Sequence, residues 1–239
     1  MPHHLMKAMR STHLVAIVGG SGSGKGWLVQ RLGRLLGEQA CHLSLDSFYR
    51  DRSHLAPRRR QSLNFDTPRA IDWDSAEQAL RDCQAGRATH VPRYDFATHR
   101  RLPATTPWQP KPLVLVEGLS LLVRPPVRRL FDLKIYLDCP PGLRLRRRLL
   151  RDVAERGRSA SMVKQQFRRT VAPMHARYVE PQQRWADLIL AQPFRKPDIL
   201  QLADRLWTLL TATAPLQSWM RGPFHTELLT LLECHDNPA

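Results

Sequence analysis

The sequence predicts an α/β fold, a mainly parallel five-stranded sheet with flanking helices, on three observations. Short, nearly continuous apolar runs alternate with longer stretches of helical periodicity, as strands buried on both faces alternate with crossover helices. A glycine-rich turn ending in lysine joins the first apolar run to the first helix. A polar stretch punctuated by prolines then breaks the alternation, where a hairpin or lid over the sheet is expected. The 239 residues are 42% hydrophobic and 24% charged, a globular composition with a sizeable core that excludes wholesale disorder. The longest apolar run, Leu113 to Val123, contains Glu117 and falls short of the ~20 residues that span a membrane.

Along the chain, Met1 to Thr12 reads as a mobile tail, residues 13–210 as one domain, and residues 211–239 as a C-terminal extension. Strands are expected at Leu14–Gly19, Cys41–Leu45, Leu113–Val116, Lys134–Leu137 and Leu188–Leu190. Helices are expected at Lys25–Leu36, Asp74–Ala85, Leu143–Glu155, Ser161–His175 and Asp198–Leu210, with Asp74 and Ser161 as N-caps. On the third of these, Leu143 and Leu150 are the residues expected to cover the sheet. The interrupting stretch, Gly86 to Trp108, contains Pro92, Pro103 and Pro107. Beyond Leu210 a linker-like segment leads to a short apolar helix, Thr226–Cys234. Cys41, Cys83, Cys139 and Cys234 show no paired spacing, and Leu14 to Val18 is too short for a signal peptide, so a cytoplasmic location is expected.

The run Gly19-Gly20-Ser21-Gly22-Ser23-Gly24-Lys25 is GxxxxGK between a strand and a helix, the context of a P-loop NTPase. Its glycines let backbone amides curl around phosphates, and Lys25 reaches the β and γ oxygens. The next position ordinarily carries Ser or Thr, whose hydroxyl ligates Mg²⁺; here it is Gly26. Glycine offers no ligand and weakens the first turn of the helix by roughly 1 kcal/mol relative to alanine. Either other carboxylates and water hold the magnesium, or turnover is impaired.

Several residues further along have the chemistry to complete such a site. Asp46 ends the second strand, where open α/β sheets put their ligands; spacing by itself equally allows a turn residue there. Glu117 ends the apolar run Leu113–Val116, an expensive place for a lone acid, for which a magnesium ion on the phosphates is the natural partner. Asp66, before Thr-Pro, also suits a plain turn or cap. Alternation puts Tyr94 and Phe96 on one face, which suits a planar pyrimidine, and neutral His99 can donate or accept a hydrogen bond. Such a cluster equally suits a hairpin support. The densest basic stretch runs from Arg144 to Arg158 against only Asp152 and Glu155. A solvated helix, an RNA-binding patch and a lid over a triphosphate all have this composition.

Taken in order, Asp46-Ser47-Phe48-Tyr49, Asn64-Phe65-Asp66-Thr67-Pro68, Val91-Pro92-Arg93-Tyr94-Asp95-Phe96-Ala97-Thr98-His99-Arg100, Glu117-Gly118, Arg151-Asp152 and Glu155-Arg156-Gly157-Arg158 resemble the uridine kinase (uridine–cytidine kinase) family of the phosphoribulokinase/uridine kinase superfamily. The resemblance spans roughly residues 13–191. It implies a P-loop kinase with a substrate hairpin and an arginine lid, phosphorylating the 5′-hydroxyl of uridine or cytidine to UMP or CMP in pyrimidine salvage. ATP, with GTP left open, would be the donor, and Mg²⁺ the cofactor. Gly19, Gly20, Ser21, Gly22, Ser23, Gly24, Lys25 and Gly26 would hold the donor with Arg156, while Glu117 and Asp46 carry the metal. Asp46 would act as general base, with Lys25, Arg148 and Arg151 at the transferred phosphoryl group. Asp66 would take the ribose 2′ and 3′ hydroxyls, and Tyr94, Phe96 and His99 the base, with Arg148, Arg158 and Gln166 beside the substrate. Arg146 and Arg147 are left exposed, and Trp185, Cys139, His13, His42, His90 and His175 are left as structural or surface residues.

One region departs from the family. After Ala186-Asp187-Leu188-Ile189, its Ile-Pro-Arg-Gly run and adenine-framing asparagine give way to Leu190-Ala191-Gln192-Pro193-Phe194-Arg195, so the donor-base pocket differs. Two competing readings therefore stand beside the first. One is a kinase of the same superfamily acting on another ribose-like or vitamin-derived acceptor, against which Tyr94, Phe96 and His99 argue. The other is a degenerate nucleotide-binding sensor or scaffold, favoured by Gly26 and the altered run. The net charge of +16 is mostly arginine. Its dispersed part reads as compositional, and the grouped lid arginines suit one triphosphate better than a nucleic acid. The expected partners are thus a nucleoside and a nucleoside triphosphate, with neither membrane nor nucleic acid, and a homo-oligomer left open.

Overall fold

The computed structural model describes residues 12–211; of the expected tail only Thr12 is described, and it is buried, while the rest of that tail, the extension after residue 211 and its Thr226–Cys234 helix lie outside the described residues. Seven strands form two sheets: β1 (His13–Gly19), β2 (Ala40–Ser44), β3 (Thr89–Asp95), β4 (Arg100–Trp108), β5 (Leu113–Gly118), β6 (Leu133–Asp138) and β7 (Leu188–Ala191). The main sheet has the order β2-β5-β1-β6-β7 with every pairing parallel, and β3 and β4 form a separate antiparallel hairpin. The longer helices are α1 (Lys25–Leu36), α2 (Trp73–Gln84), α3 (Pro141–Ala154), α4 (Ala160–Gln166) and α5 (Lys196–Thr211). Among the described residues no helix is long and apolar enough to cross a membrane.

Alternation along the strands divides the core in two. Leu14, Ala16 and Val18 of β1 point to the side packed with Ala76, Ala79 and Leu80 of α2. Val15 and Ile17 face Leu28, Val29 and Leu32 of α1 together with Leu202 and Leu206 of α5. Burial on both faces of the inner strands β1 and β5 explains why their sequences are unbroken apolar runs, whereas the outer strands β2 and β7 expose His42 and Ile189.

Three local expectations are corrected. Asp72 caps α2, accepting from the Ser75 amide, and Ser159 caps α4, accepting from the Met162 amide; Asp74 and Ser161 sit inside the first turns instead. The helix expected to run to His175 continues past Gln166 through wide π-type turns at Phe167–Val171 and His175–Val179, on either side of Pro173, which has no amide to donate. In α3 the apolar-inside expectation fails: Leu150 is 52% exposed, while Arg144, Arg148 and Asp152 form the buried face. That face looks toward the phosphate loop rather than toward the hydrophobic core.

Candidate active site

The loop after β1 is held open by two left-handed glycines, Gly22 at φ 81° and Gly24 at φ 87°. A β-carbon on Gly22 would collide with the Arg144 carbonyl, so the tight packing of α3 against the loop also demands glycine there. Lys25 is buried at the start of α1 and donates from Nζ to the Gly19 and Gly20 carbonyls at 3.0 and 3.1 Å. Burial pulls its pKa down, while Glu117 and Asp46 oppose that shift. Gly26 is different from its neighbours in the loop: a β-carbon there meets nothing within 4 Å.

Two carboxylates face this lysine from adjacent strand ends. Asp46 lies in a single 3₁₀ turn, Leu45–Phe48, which follows β2 and is capped by the Ser44 hydroxyl accepting from the Asp46 amide. Glu117 ends β5 in register with Ser44, whose hydroxyl donates to Glu117 Oε1 at 2.6 Å. Burial first, and then the Glu117 charge, push the Asp46 carboxyl up to about 6 against the pull of Lys25 and a hydrogen bond from Tyr49. Two acids sharing one buried corner with a single lysine make an environment that favours a further cation.

Two cavities meet at Asp46. The larger, about 630 Å³, runs along Ser21, Gly22, Lys25 and Gly26 to Glu117, Arg147 and Arg151. The smaller, about 280 Å³, is lined by Asp66, Tyr94, His99, Arg148, Arg158 and Gln166 among others. Asp46, Ser21 and Arg151 border both. In the smaller cavity, Asp66 is tied through its amide to the Asn64 side chain, and burial raises its carboxyl against the opposing pull of Arg148.

The aromatic wall extends beyond the expected pair. Tyr49 packs edge-on to Phe65 and tilted on Tyr94, with centroids 5.3 Å apart in both cases, and Phe96 lies edge-on to Tyr94. His99, at φ 54° in the hairpin turn, stacks on Phe65 at 4.5 Å with an interplanar angle of 12°. Burial and the nearby Arg158 and Arg156 lower the His99 pKa, which keeps the ring neutral. The Tyr94 hydroxyl is buried without a hydrogen-bond partner.

The grouped arginines converge on one carboxylate. Asp152 is fully buried and lies within 3.5 Å of Arg148, Arg151, Arg156 and Arg158. Arg148 donates to the Ser21 hydroxyl of the phosphate loop and to Gln166 Oε1, both at 2.8 Å, and Arg158 reaches the same oxygen at 3.2 Å. Gln166 therefore positions arginines as well as bordering the smaller cavity. Arg146 is exposed as expected, but Arg147 is half-buried and donates to Gln192 Oε1, next to Gly24. His175 and His42, read as structural or surface residues, stand beside the site. His175 lies against Gly20 and is pushed down to about 4 by burial and Arg144, while His42 Nε2 is 3.9 Å from Glu117.

Most of the site residues expected from the sequence border the two cavities or their arginine rim, whereas Gly19, Gly20 and Ser23 line neither cavity and Ser23 is fully buried beneath the loop. Reasoning from the sequence missed Ser44, Phe65, Arg144 and Asp152 as parts of the assembly. Phe65 and Asp152 lay inside the quoted motifs and Arg144 opened the densest basic stretch without a role of its own, whereas nothing local marked Ser44.

A phosphate-gripping loop on a parallel sheet, facing a second, carboxylate-bearing pocket under an arginine rim, defines a P-loop phosphotransferase. The family model described as phosphoribulokinase / uridine kinase matches residues 14–197, and the chain belongs to that family, whose members transfer phosphate to hydroxyl acceptors. A uridine kinase of Chloroflexus aggregans is 41% identical over 185 residues, covering 77% of this chain and 88% of the relative. A uridine kinase of Chloroflexus aurantiacus is 39% identical over 202 residues, covering 84% and 97%. Among solved structures, phosphoribulokinase from Rhodobacter spheroides shares the fold with a TM-score of 0.58 at 19% identity, covering 76% of this chain and 70% of that one.

Proposed function

We propose that this chain is a nucleoside kinase that phosphorylates the 5′-hydroxyl of uridine or cytidine with ATP, giving UMP or CMP. The observation that carries this reading is the position of Asp46, at the junction between the phosphate-loop cavity and the pocket containing Asp66. Identity of about 40% to uridine kinases over most of the chain supports the choice of acceptor. Asp66 has acceptor lone pairs for both ribose hydroxyls. The aromatic wall of Phe65, Tyr94 and Phe96 suits a pyrimidine ring, with neutral His99 at its edge.

In this mechanism the loop amides and Lys25 grip the donor phosphates while Asp46 takes the proton of the attacking 5′-hydroxyl. Arg148 and Arg151 offset charge spreading over the transferred group, and Arg156 and Arg158 close the rim and exclude water. Glu117 and Asp46 are the residues that would hold Mg²⁺, and their shared corner beside Lys25 has the acidic oxygen donors that suit a divalent cation. When bound, the ion neutralises phosphate charge and orients the donor.

The test is a panel of nucleosides assayed with ATP and with GTP in the presence of Mg²⁺. Uridine and cytidine are expected to yield monophosphates. No product from either, with nucleotide still bound, would overturn the reading in favour of the nucleotide-binding sensor, to which the bare Gly26 lends its support. Product from a different ribose-like acceptor would move the chain elsewhere in the superfamily. Because a side chain at position 26 meets no obstruction, Gly26→Ser is expected to fold normally and to raise kcat at limiting Mg²⁺.

A further inference from the structure

We propose that the Ser44 hydroxyl does for the carboxylates of this chain what a loop hydroxyl at position 26 would otherwise do, making Ser44 the positioning residue of the divalent-cation site. Asp46 and Glu117 rise from the ends of different strands, and a carboxylate at a strand end is free to rotate unless something holds it. One hydroxyl orients the Glu117 carboxylate and anchors the backbone of the turn that carries Asp46. Ser44 Oγ donates to Glu117 Oε1 at 2.6 Å, a short charge-assisted bond, and accepts from the Asp46 amide at 3.3 Å. The parallel register sets Ser44 directly opposite Glu117, so the bond follows from the sheet itself.

Tyr49 hydrogen-bonds the Asp46 carboxyl, but at Glu117 nothing else among the described residues takes the place of Ser44. His42 Nε2 stands at 3.9 Å from Glu117, beyond hydrogen-bond reach, and Lys25 Nζ is committed to the Gly19 and Gly20 carbonyls. At position 26 there is space but no side chain. Position 26, the Glu117 carboxylate that Ser44 contacts and Asp46 border the same cavity. The inference rests on the reading that this corner carries the metal of a bound nucleotide, but not on which acceptor is phosphorylated.

The prediction is a coupling between two positions. Mn²⁺ binding to the protein complexed with the imido analogue of ATP would be measured by electron paramagnetic resonance for the wild type, Ser44→Ala, Gly26→Ser and the double variant. Ser44→Ala is expected to weaken Mn²⁺ binding by about tenfold or more, the usual cost of losing an outer-shell partner. In the Gly26→Ser background the same change is expected to cost no more than about threefold, because the added hydroxyl would supply a further ligand to the same ion. Ser44→Thr, which keeps the hydroxyl, should retain the wild-type affinity, and analogue binding in EDTA should be the same for Ser44→Ala as for the wild type. An equal loss in both backgrounds, no loss at all, or an equal loss of metal-free nucleotide binding would each overturn the proposal. A chain that shows the coupling yet makes no UMP would sink the nucleoside kinase reading and leave this one standing.

Discussion

Asp46 is where electrostatics and chemistry meet in this protein. Its carboxyl is pushed up to about 6 by burial and by Glu117, and a general base must be ionised. For uridine, kcat/KM is therefore expected to fall on the acid side, and a pH-rate profile should locate the limb below about 6, because a bound Mg²⁺ would favour the ionised carboxylate. The same shift sets a sign for stability. A folded-state pKa above the ordinary 3.8 means that the favourable contribution is complete below that value and is lost as pH rises through about 6. Asp46→Asn should thus abolish turnover yet stabilise the ligand-free protein at pH 8, on the order of 2–3 kcal/mol, with the gain vanishing near pH 4 in urea titrations. Asp66 has a different task in the smaller cavity. Asp66→Asn, which retains only one acceptor oxygen, is expected to raise KM for uridine about tenfold to a hundredfold and to shrink the preference for uridine over deoxyuridine, both read from steady-state kinetics.

At the scale of elements, α3 contradicts the ordinary logic of an amphipathic helix. Arg144, Arg148 and Asp152 stand on its buried face at spacings of four, and Leu150 faces outward. Apolar periodicity identifies a helix's inner face only when that face meets an apolar core; here it meets the phosphate loop, α4 and the arginines after the helix. Asp152 collects those charges, and an uncompensated cluster of guanidinium groups would repel itself. Asp152→Asn is expected to cost about 3 kcal/mol of stability in urea unfolding and to lower kcat, because the rim loses its common acceptor. The loop between β1 and α1 followed the opposite course. Its strand, glycines, lysine and helix are contiguous in the chain, so its conformation is a local property and could be read directly. The hairpin was recognisable from its prolines and polarity, but the stacking of His99 on Phe65 joins segments that no short-range pattern connects.

For the whole molecule, the sheet order places β2, β5 and β1 side by side and so brings Ser44, Glu117 and the phosphate loop to one edge of the sheet. Of the arginines behind the net charge of +16, four gather at Asp152. A compact cluster on one buried carboxylate suits a triphosphate rather than a long polyanion. Single-stranded DNA is accordingly expected not to displace a fluorescent ATP analogue at 0.15 M salt, conditions under which dispersed charge is screened within about 8 Å. Displacement would return the arginine surface to a nucleic-acid role.

The sequence by itself determined the α/β alternation, the strand–loop–helix that cradles phosphate and the motif residues later brought together around two cavities. These depend on contiguous residues and on periodicity, which a linear chain displays. Only the tertiary structure decided that the inner face of α3 is charged, that Asp152 unites four arginines, and that Ser44 spans to Glu117 across 73 positions of chain. The reason is physical: a hydroxyl or a buried charge takes its meaning from the partner that satisfies it, and strand register and helix packing choose that partner.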